Sequence, residues 1–198
     1  MIEVKRTWKK CVDEKINNIY NEVLSVVKEM YPQYFDCKLS FYIDSSTRTL
    51  GRCIANYKRE SLISRWGFPN HFEYIRNEEV VILLSKYVTD PTVAKRTLIH
   101  EFAHMVTPKE HHSHYWERRA ERIGEKFGEV DIKRFASSND SKNFREQMSI
   151  SGVKRPDKKY EVVCTGCGRI AKRTRMCDII KHPENWICGT CGSHFKNI

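Results

Sequence analysis

The sequence feature that most constrains the fold is a pair of histidines four residues apart, His100 and His104, with Glu101 directly after the first. Residues four apart lie on the same face of a helix, so both imidazoles can bind one metal ion. Glu101, one position along, can reach a water molecule held by the metal instead of the metal itself. A catalytic zinc keeps three protein ligands and an open position for water, whose pKa it lowers. The spacing therefore predicts a hydrolytic zinc site, with Glu101 as the general base that later passes the proton to the leaving amine.

Three histidines soon after the motif are candidates for the third zinc ligand: His111, His112 and His114. Pro108 allows the chain to turn after the motif helix, so that this segment passes back beneath the metal. His112 precedes Trp116 by four residues, which places the two on one helix face, and we predict His112 as the ligand. His111 is the second choice, while His114 is expected to face solvent or substrate. His114 and Tyr115 are also near enough to be tested as oxyanion donors.

The segments around the motif predict a helix, a small sheet and two further helices. Apolar residues at helical spacing predict a helix over residues 7–30, which Pro32 ends. The apolar run Val80–Leu84 is compatible with a strand or a helix. Strands are predicted over three segments: Leu39–Ile43, Thr49–Asn56 with a bulge at Gly51, and His71–Ile75.

Capping residues set the predicted bounds of the last two helices. Asp90 and Pro91 open the motif helix as N-cap and first residue, and Pro108 closes it. Ser113 can cap the next helix, whose buried face would carry four residues: Trp116, Ala120, Ile123 and Phe127. Residues 129–159 lose apolar periodicity and include the polar stretches 137–143 and 154–159, so we predict a charged linker there.

Two C-x-x-C pairs lie in the last 35 residues and predict a second metal site. The pairs contain four of the eight cysteines: Cys164, Cys167, Cys188 and Cys191. Four thiolates bind a structural zinc tetrahedrally, and about 39 residues need such a metal to fold. A disulfide-linked module is the alternative, but the other cysteines are scattered singly, as buried thiols are. Cys177 lies outside both pairs and is predicted to bind no metal.

The charge of the chain is concentrated towards its C-terminal end. The formal net charge is +10, and residues 129–198 carry 14 Lys and Arg against 8 Asp and Glu. Such a basic tail indicates a polyanionic partner, with nucleic acid first, although a merely solvated surface has the same composition. Between and beside the cysteine pairs lie residues suited to phosphate contact and base stacking: Arg169, Lys172, Arg173, Arg175, Lys181 and Trp186.

No apolar run approaches the roughly 20 residues of a membrane helix, and no apolar segment follows the basic residues near Met1. We therefore expect an intracellular protein that does not enter a membrane.

Several of these segments together resemble the SprT-like metalloproteases. The resemblance covers residues 7–128 and 160–198 and is carried by Thr97–His104, by the step from His112 to Trp116, and by the four-cysteine module. Family members commonly have Gly-Pro-Glu after the third histidine, where this chain has Ser-His-Tyr. The resemblance implies a compact α+β, zincin-like domain with an N-terminal helix, a small sheet, the motif helix and a following helix. It also implies proteolysis, in some members of proteins crosslinked to DNA.

These observations lead to one overall prediction. Residues 1–128 form a SprT-like metalloprotease domain, 129–159 a linker, and 160–198 a four-cysteine zinc ribbon. The protein is expected to be a monomeric zinc metallopeptidase with one catalytic and one structural Zn²⁺, acting on protein substrates bound or crosslinked to DNA. Two alternatives stay open: a non-catalytic zinc protein that binds nucleic acid, and a metal hydrolase that cleaves a non-peptide amide. The intact Glu101 argues against the first, because a purely structural metal site has no need of that carboxylate.

Overall fold

A computed structural model describes residues 1–61, 73–129, 132, 136–153 and 160–198. The chain forms two compact units, Met1–Gly152 and Val153–Ile198, and each is described separately below. Both combine helices with a small sheet, so the chain is of mixed α+β type, as predicted. Within the part of the chain described, no helix is both long and apolar enough to cross a membrane.

The described residues of the N-terminal unit form four helices and three strands. The helices are α1 (Glu14–Met30), α2 (Pro91–Val106), α3 (His114–Glu125) and α4 (Ser138–Ile150). The strands are β1 (Lys38–Asp44), β2 (Gly51–Ser61) and β3 (Glu73–Ser85), and a short 3₁₀ turn spans Pro32–Tyr34.

Strand β3 is the centre of the first sheet, with β1 parallel to it on one side and β2 antiparallel on the other. The run Val80–Leu84, ambiguous in the sequence, is buried within β3. Its two faces meet different apolar clusters: Val80 and Ile82 belong to the main core, and Val81 and Leu83 pack with Trp8. A strand covered on both faces is apolar at every position, which explains why alternation was absent.

Strand β2 is an edge strand whose register differs in detail from the prediction. The register shift lies between Asn56 and Tyr57, not at Gly51, so the bulge prediction is wrong. Of the predicted strand His71–Ile75, residues 71–72 lie outside the described residues, and 73–75 belong to β3.

Helix α1 begins later than predicted. The carboxylate of Asp13 accepts hydrogen bonds from the backbone N–H groups of Lys15 and Ile16, which starts the helix at Glu14. The preceding residues are not helical, because Lys9 pairs with Ile43 in a β-bridge and Trp8 packs beneath the sheet. The apolar residues before Asp13 therefore do not belong to the helical stripe.

The caps predicted for α2 and α3 are confirmed. The Asp90 carboxylate accepts hydrogen bonds from the first turn of α2, and the Ser113 hydroxyl accepts one from Trp116 N–H. Three helices contribute to the main core beside the sheet. Helix α1 contributes residues such as Val23, α2 contributes Phe102, and α3 contributes Trp116.

The linker prediction is wrong over residues 138–150, which form α4. The Ser137 hydroxyl caps this helix by accepting a hydrogen bond from Asp140 N–H, and Phe144 and Met148 are buried within the N-terminal unit, to which α4 belongs. Two apolar residues one turn apart are too few to produce a recognisable periodicity, so tertiary contacts define this helix. Residues 154–159 lie outside the described residues.

The C-terminal unit contains an antiparallel three-stranded sheet of order β5-β4-β6. Its elements are β4 (Tyr160–Cys164), β5 (Ile170–Arg173), α5 (Asp178–Lys181), a 3₁₀ turn (Pro183–Asn185) and β6 (Phe195–Asn197). The core is small and includes two cysteines; its buried members are Val162, Cys164, Ile179, Ile180, Cys188 and Phe195.

Candidate metal centre and cleft

Three imidazoles meet at one point in the N-terminal unit. The Nε2 atom of His104 lies 3.2 Å from that of His100 and 3.1 Å from that of His112, and the last two are 3.1 Å apart. His100 and His104 come from one face of α2, and His112 comes from the loop between α2 and α3. This loop turns sharply, since Lys109 and His112 both have left-handed backbone conformations, with φ of 66° and 49°.

The triangle of nitrogens fits one zinc ion. Tetrahedral coordination at the usual Zn–N distance of roughly 2.0–2.1 Å separates ligand nitrogens by about 3.3 Å, close to the spacing found. Burial, followed by the neighbouring imidazoles of His100 and His112, lowers the pKa of His104 to about 3. His104 is therefore neutral near pH 7, which is the form that binds metals.

Trp116 packs beneath all three imidazoles. Its ring centroid lies 4.7 Å from that of His100, 5.2 Å from that of His104 and 4.6 Å from that of His112. The indole is fully buried, so it supports the rings and limits their rotation. The predicted contact between His112 and Trp116 is present, but its predicted basis is wrong: His112 lies in the loop before the N-cap Ser113 and does not share a helix face with Trp116.

Glu101 lies beside the imidazole cluster but faces strand β2. Its carboxylate accepts a hydrogen bond from Cys53 N–H, and only 6% of the residue is exposed. Burial raises the pKa of Glu101 to about 8, although the Cys53 hydrogen bond and the charge of Arg52 act in the opposite direction. A cation held by the imidazoles would favour the ionised carboxylate and lower this pKa.

Gly51 allows β2 to approach the motif helix this closely. A Cβ atom at this position would lie 2.6 Å from Thr97 Cγ2 and 3.0 Å from both Cγ and Oε1 of Glu101. A glycine within a strand indicates either a bulge or a close backbone approach. The bulge was predicted at Gly51, but the structure has the close approach there.

A cavity of about 820 Å³ opens over these residues. Its floor is the face of α2 that carries Arg96, His100 and His104. Strand β2 and the turn before it line one side, and the loop that carries Lys109 lines one end.

The other residues predicted near the metal, His111, His114 and Tyr115, lie outside the three-imidazole cluster. His111 lines the cavity but is exposed. Among the described residues, the cavity lining includes neither His114 nor Tyr115. It does include Tyr57, whose hydroxyl accepts a hydrogen bond from Lys109 N–H and which the sequence analysis missed. No sequence signal pointed to Tyr57, because aromatic residues are common in strands.

The four cysteines of the C-terminal unit also converge. Sγ of Cys164 lies 3.3 Å from Sγ of Cys191, and that of Cys167 lies 3.7 Å from that of Cys188. All four sulfur atoms lie within 4.8 Å of one another, which is compatible with the separation of about 3.8 Å that tetrahedral zinc gives at a Zn–S distance of about 2.3 Å.

Local geometry favours the thiolate at Cys188 and Cys191, whose pKa values are lowered. Backbone N–H groups of Thr190 and Cys191 lower the pKa of Cys188 to about 6. At Cys167 the Arg169 N–H acts in the same direction, but hydrogen bonds with the Cys191 and Cys164 sulfur atoms outweigh it and raise the pKa to about 11. Each knuckle is followed by a glycine in the left-handed region, Gly168 at φ 70° and Gly192 at φ 74°. Cys177 is not part of this cluster.

The basic residues of this unit lie on its surface, although three of them have partners within it, one being Arg173, which donates a hydrogen bond to the Lys172 carbonyl oxygen. Lys172 pairs with Glu161, and Arg169 donates a hydrogen bond to the Thr190 hydroxyl. Arg173 and Arg175 are exposed, and so is 47% of Trp186. The cations and one aromatic ring are therefore available at the surface of the same unit.

Comparison with known proteins identifies the family. Searches of curated proteins and of solved structures give no match. The model of the SprT-like family matches residues 20–136, which include both the motif helix and His112. Because this match covers more than half of the sequence, the chain belongs to the SprT-like family.

Proposed function

We propose that this protein is a zinc-dependent metallopeptidase with a zincin-like catalytic domain. One observation carries the proposal: a buried carboxylate, Glu101, lines the same cavity as three imidazoles that converge on one point. The imidazoles of His100, His104 and His112 would hold the zinc. A metal site with a purely structural role needs no such carboxylate, and it needs no cavity above it.

Glu101 would act as the general base and then as the general acid. Zinc, when bound, polarises a carbonyl oxygen and lowers the pKa of water. Glu101 would take the proton of the attacking water and deliver it to the nitrogen of the leaving amine. Its buried environment suits the second step, since burial raises the pKa of Glu101 and favours its protonated form.

The cleft suits an extended polypeptide. Strand β2 is at the edge of its sheet, and residues from Gly51 to Ile54 line the cavity. An extended segment can add to such an edge through main-chain hydrogen bonds. A substrate paired in this way would pass over Glu101, because Cys53 N–H contacts that carboxylate.

The C-terminal unit would hold a second, structural zinc through its four cysteines and would bind nucleic acid. Its exposed cations, among them Arg173 and Arg175, suit phosphate contacts, and Trp186 suits base stacking. The substrates would then be proteins bound or crosslinked to DNA, which the C-terminal unit brings to the peptidase.

The catalytic proposal is tested with a DNA-bound protein as substrate, with and without DNA. We expect cleavage by the wild type, and a loss of at least about 100-fold in Glu101→Gln with zinc content unchanged. Glu110→Gln is the matched control, because Glu110 also lines the cavity but is exposed. Full activity in Glu101→Gln would refute the mechanism, and hydrolysis of small amides without any proteolysis would favour a non-peptide substrate.

The nucleic-acid proposal is tested by measuring DNA affinity at several salt concentrations. Replacing Arg173 and Arg175 together by alanine should reduce the slope of log K against log salt by about one for each lost phosphate contact. Replacing Arg122 and Lys126 together by alanine is the control, because it removes two positive charges that are exposed on the N-terminal unit. Truncation after residue 159 should weaken DNA binding and leave the zinc of the histidine site in place. Equal affinity and equal slope in all variants would show that these cations are only solvated surface residues and do not contact DNA.

A further inference from the structure

Helix α4 lies beyond the segment that matches the SprT-like family, yet its N-terminal end lines the cleft. The family match ends at residue 136. Four residues at the start of α4 and just before it line the cavity: Ala136, Ser137, Asp140 and Ser141. The cleft therefore has a side that is built by a part of the chain outside the family match.

Side-chain contacts fix α4 to the elements next to the metal centre. Asp140 is buried, and its Oδ1 atom lies 3.3 Å from the Arg96 guanidinium. Nδ2 of Asn143 donates to Oδ2 of Asp90, the N-cap of α2, over 3.4 Å. The ring of Phe144 meets that of Tyr87 edge-on, with centroids 6.2 Å apart.

Arg96 also contacts the segment that follows α3. Its Nε atom lies 2.8 Å from Oε2 of Glu129, so one guanidinium joins two carboxylates from two segments. Gly124 allows this segment to return so closely, since a Cβ atom there would lie 2.4 Å from the Glu129 carbonyl oxygen. The segment after α3 and helix α4 therefore both contact the same residue of the motif helix, Arg96.

The position of Arg96 on α2 relates this junction to the reacting bond. Arg96 precedes His100 by four residues, which places it about 6 Å along the same helix face. An extended peptide advances about 3.3 Å for each residue. A substrate side chain about two residues from the cleaved bond would therefore reach α4.

We propose that α4 forms a wall of the substrate cleft and that Arg96 is the positioning residue for this wall. The Arg96–Asp140 pair would then determine which side chain fits about two residues from the cleaved bond. The wall consists of small side chains and of one carboxylate that Arg96 neutralises. This inference rests on the proposed peptidase function.

The test compares the full-length, zinc-loaded wild type with Arg96→Met and Asp140→Asn on peptides that vary in one position at a time. For peptides that vary two residues from the cleaved bond, we expect the ratio of kcat/KM between a small and a bulky side chain to change by about 10-fold. Ratios for residues five positions away should not change. Arg96→Lys should restore part of the selectivity, and Lys142→Gln is the control, since Lys142 pairs with Glu146 on the exposed face of α4.

Two further measurements separate a wall from a general structural role. Zinc content and thermal unfolding show whether a variant is folded, and hydrogen exchange over residues 138–150 shows whether α4 has loosened. Faster exchange in α4 together with unchanged selectivity would overturn the proposal, and so would unchanged exchange in both variants. If the wild type cleaves neither these peptides nor a DNA-bound protein, the proposed function fails, and affinities for peptide hydroxamates of graded size then decide about the wall.

Discussion

Replacing Gly51 by alanine should impair catalysis without removing zinc. The new Cβ atom would lie 2.6 Å from Thr97 Cγ2 and 3.0 Å from Cγ and Oε1 of Glu101. Carbon atoms in contact prefer separations of about 3.5–4.0 Å, so strand and helix must move apart by about 1 Å. Both contacts involve α2, but neither involves the imidazoles of the metal centre.

The size of the effect follows from these distances. Overfilling a packed site costs about 1–3 kcal/mol, which in a unit of this size lowers the melting temperature by roughly 3–10 °C. A misplacement of about 1 Å in a catalytic group costs up to about 100-fold in rate, and we expect a 10- to 100-fold loss of kcat. Adding Thr97→Ser removes Cγ2 but keeps the hydroxyl that donates to the Val93 carbonyl. The double variant should regain part of the stability and little of the activity, because the contacts with Glu101 persist.

The assay combines peptide hydrolysis, zinc analysis and thermal unfolding. Gly189→Ala is the control, since a Cβ atom at Gly189 meets nothing within 4 Å. Gly51→Ala with wild-type kcat and stability would show that the approach of β2 does not position Glu101. Loss of zinc in Gly51→Ala would show that the variant disturbs the imidazoles instead.

Three further predictions concern the metal sites and pH. His112→Ala should lose the zinc of the histidine site and His111→Ala should keep it, which metal analysis decides; the reverse pattern would refute the assignment. In metal-free protein, burial raises the pKa of Glu101 from 4.5 to about 8, so its stabilising contribution is complete below pH 4.5 and is lost as the pH rises to about 8. Wild type should therefore lose about 1.4 kcal/mol per pH unit relative to Glu101→Gln in that range, measured by denaturant unfolding; parallel pH profiles would contradict this. Cys191→Ser should remove one zinc and unfold residues 160–198, which hydrogen exchange detects, while the histidine site keeps its metal; two bound zinc ions would contradict this.

Local spacing was sufficient to predict the residues of both clusters. Helical geometry alone brings His100 and His104 together, and the step from His112 to Trp116 identified the third imidazole. Predicting the four-cysteine cluster required only two assumptions: that each C-x-x-C pair forms a knuckle, and that the two knuckles meet. Spacings of three or four residues join His100 to His104 and the cysteines within each pair. The position of His112 and the meeting of the two cysteine pairs depend in addition on the loops between them.

Features that depend on distant parts of the chain were not predictable in this way. The true start of α1 depends on a bridge between Lys9 and Ile43, and the strand Val80–Leu84 depends on coverage of both its faces. Helix α4 depends on Arg96 and Tyr87, which lie more than 40 residues earlier in the chain. Tertiary contacts override weak local preferences at such positions.

The directions of side chains on α2 explain how one short motif would supply both the proposed zinc ligands and the proposed base. Successive residues of a helix differ by about 100°, so His100 and His104 face Trp116 while Glu101 faces Cys53 of β2. The base therefore lies between the metal ligands and the edge strand on which a peptide would lie. Burial raises the pKa of Glu101 and so favours its protonated form, which cannot act as a base. Zinc at the imidazoles would lower this pKa, so metal binding itself would produce the ionised Glu101 that hydrolysis requires.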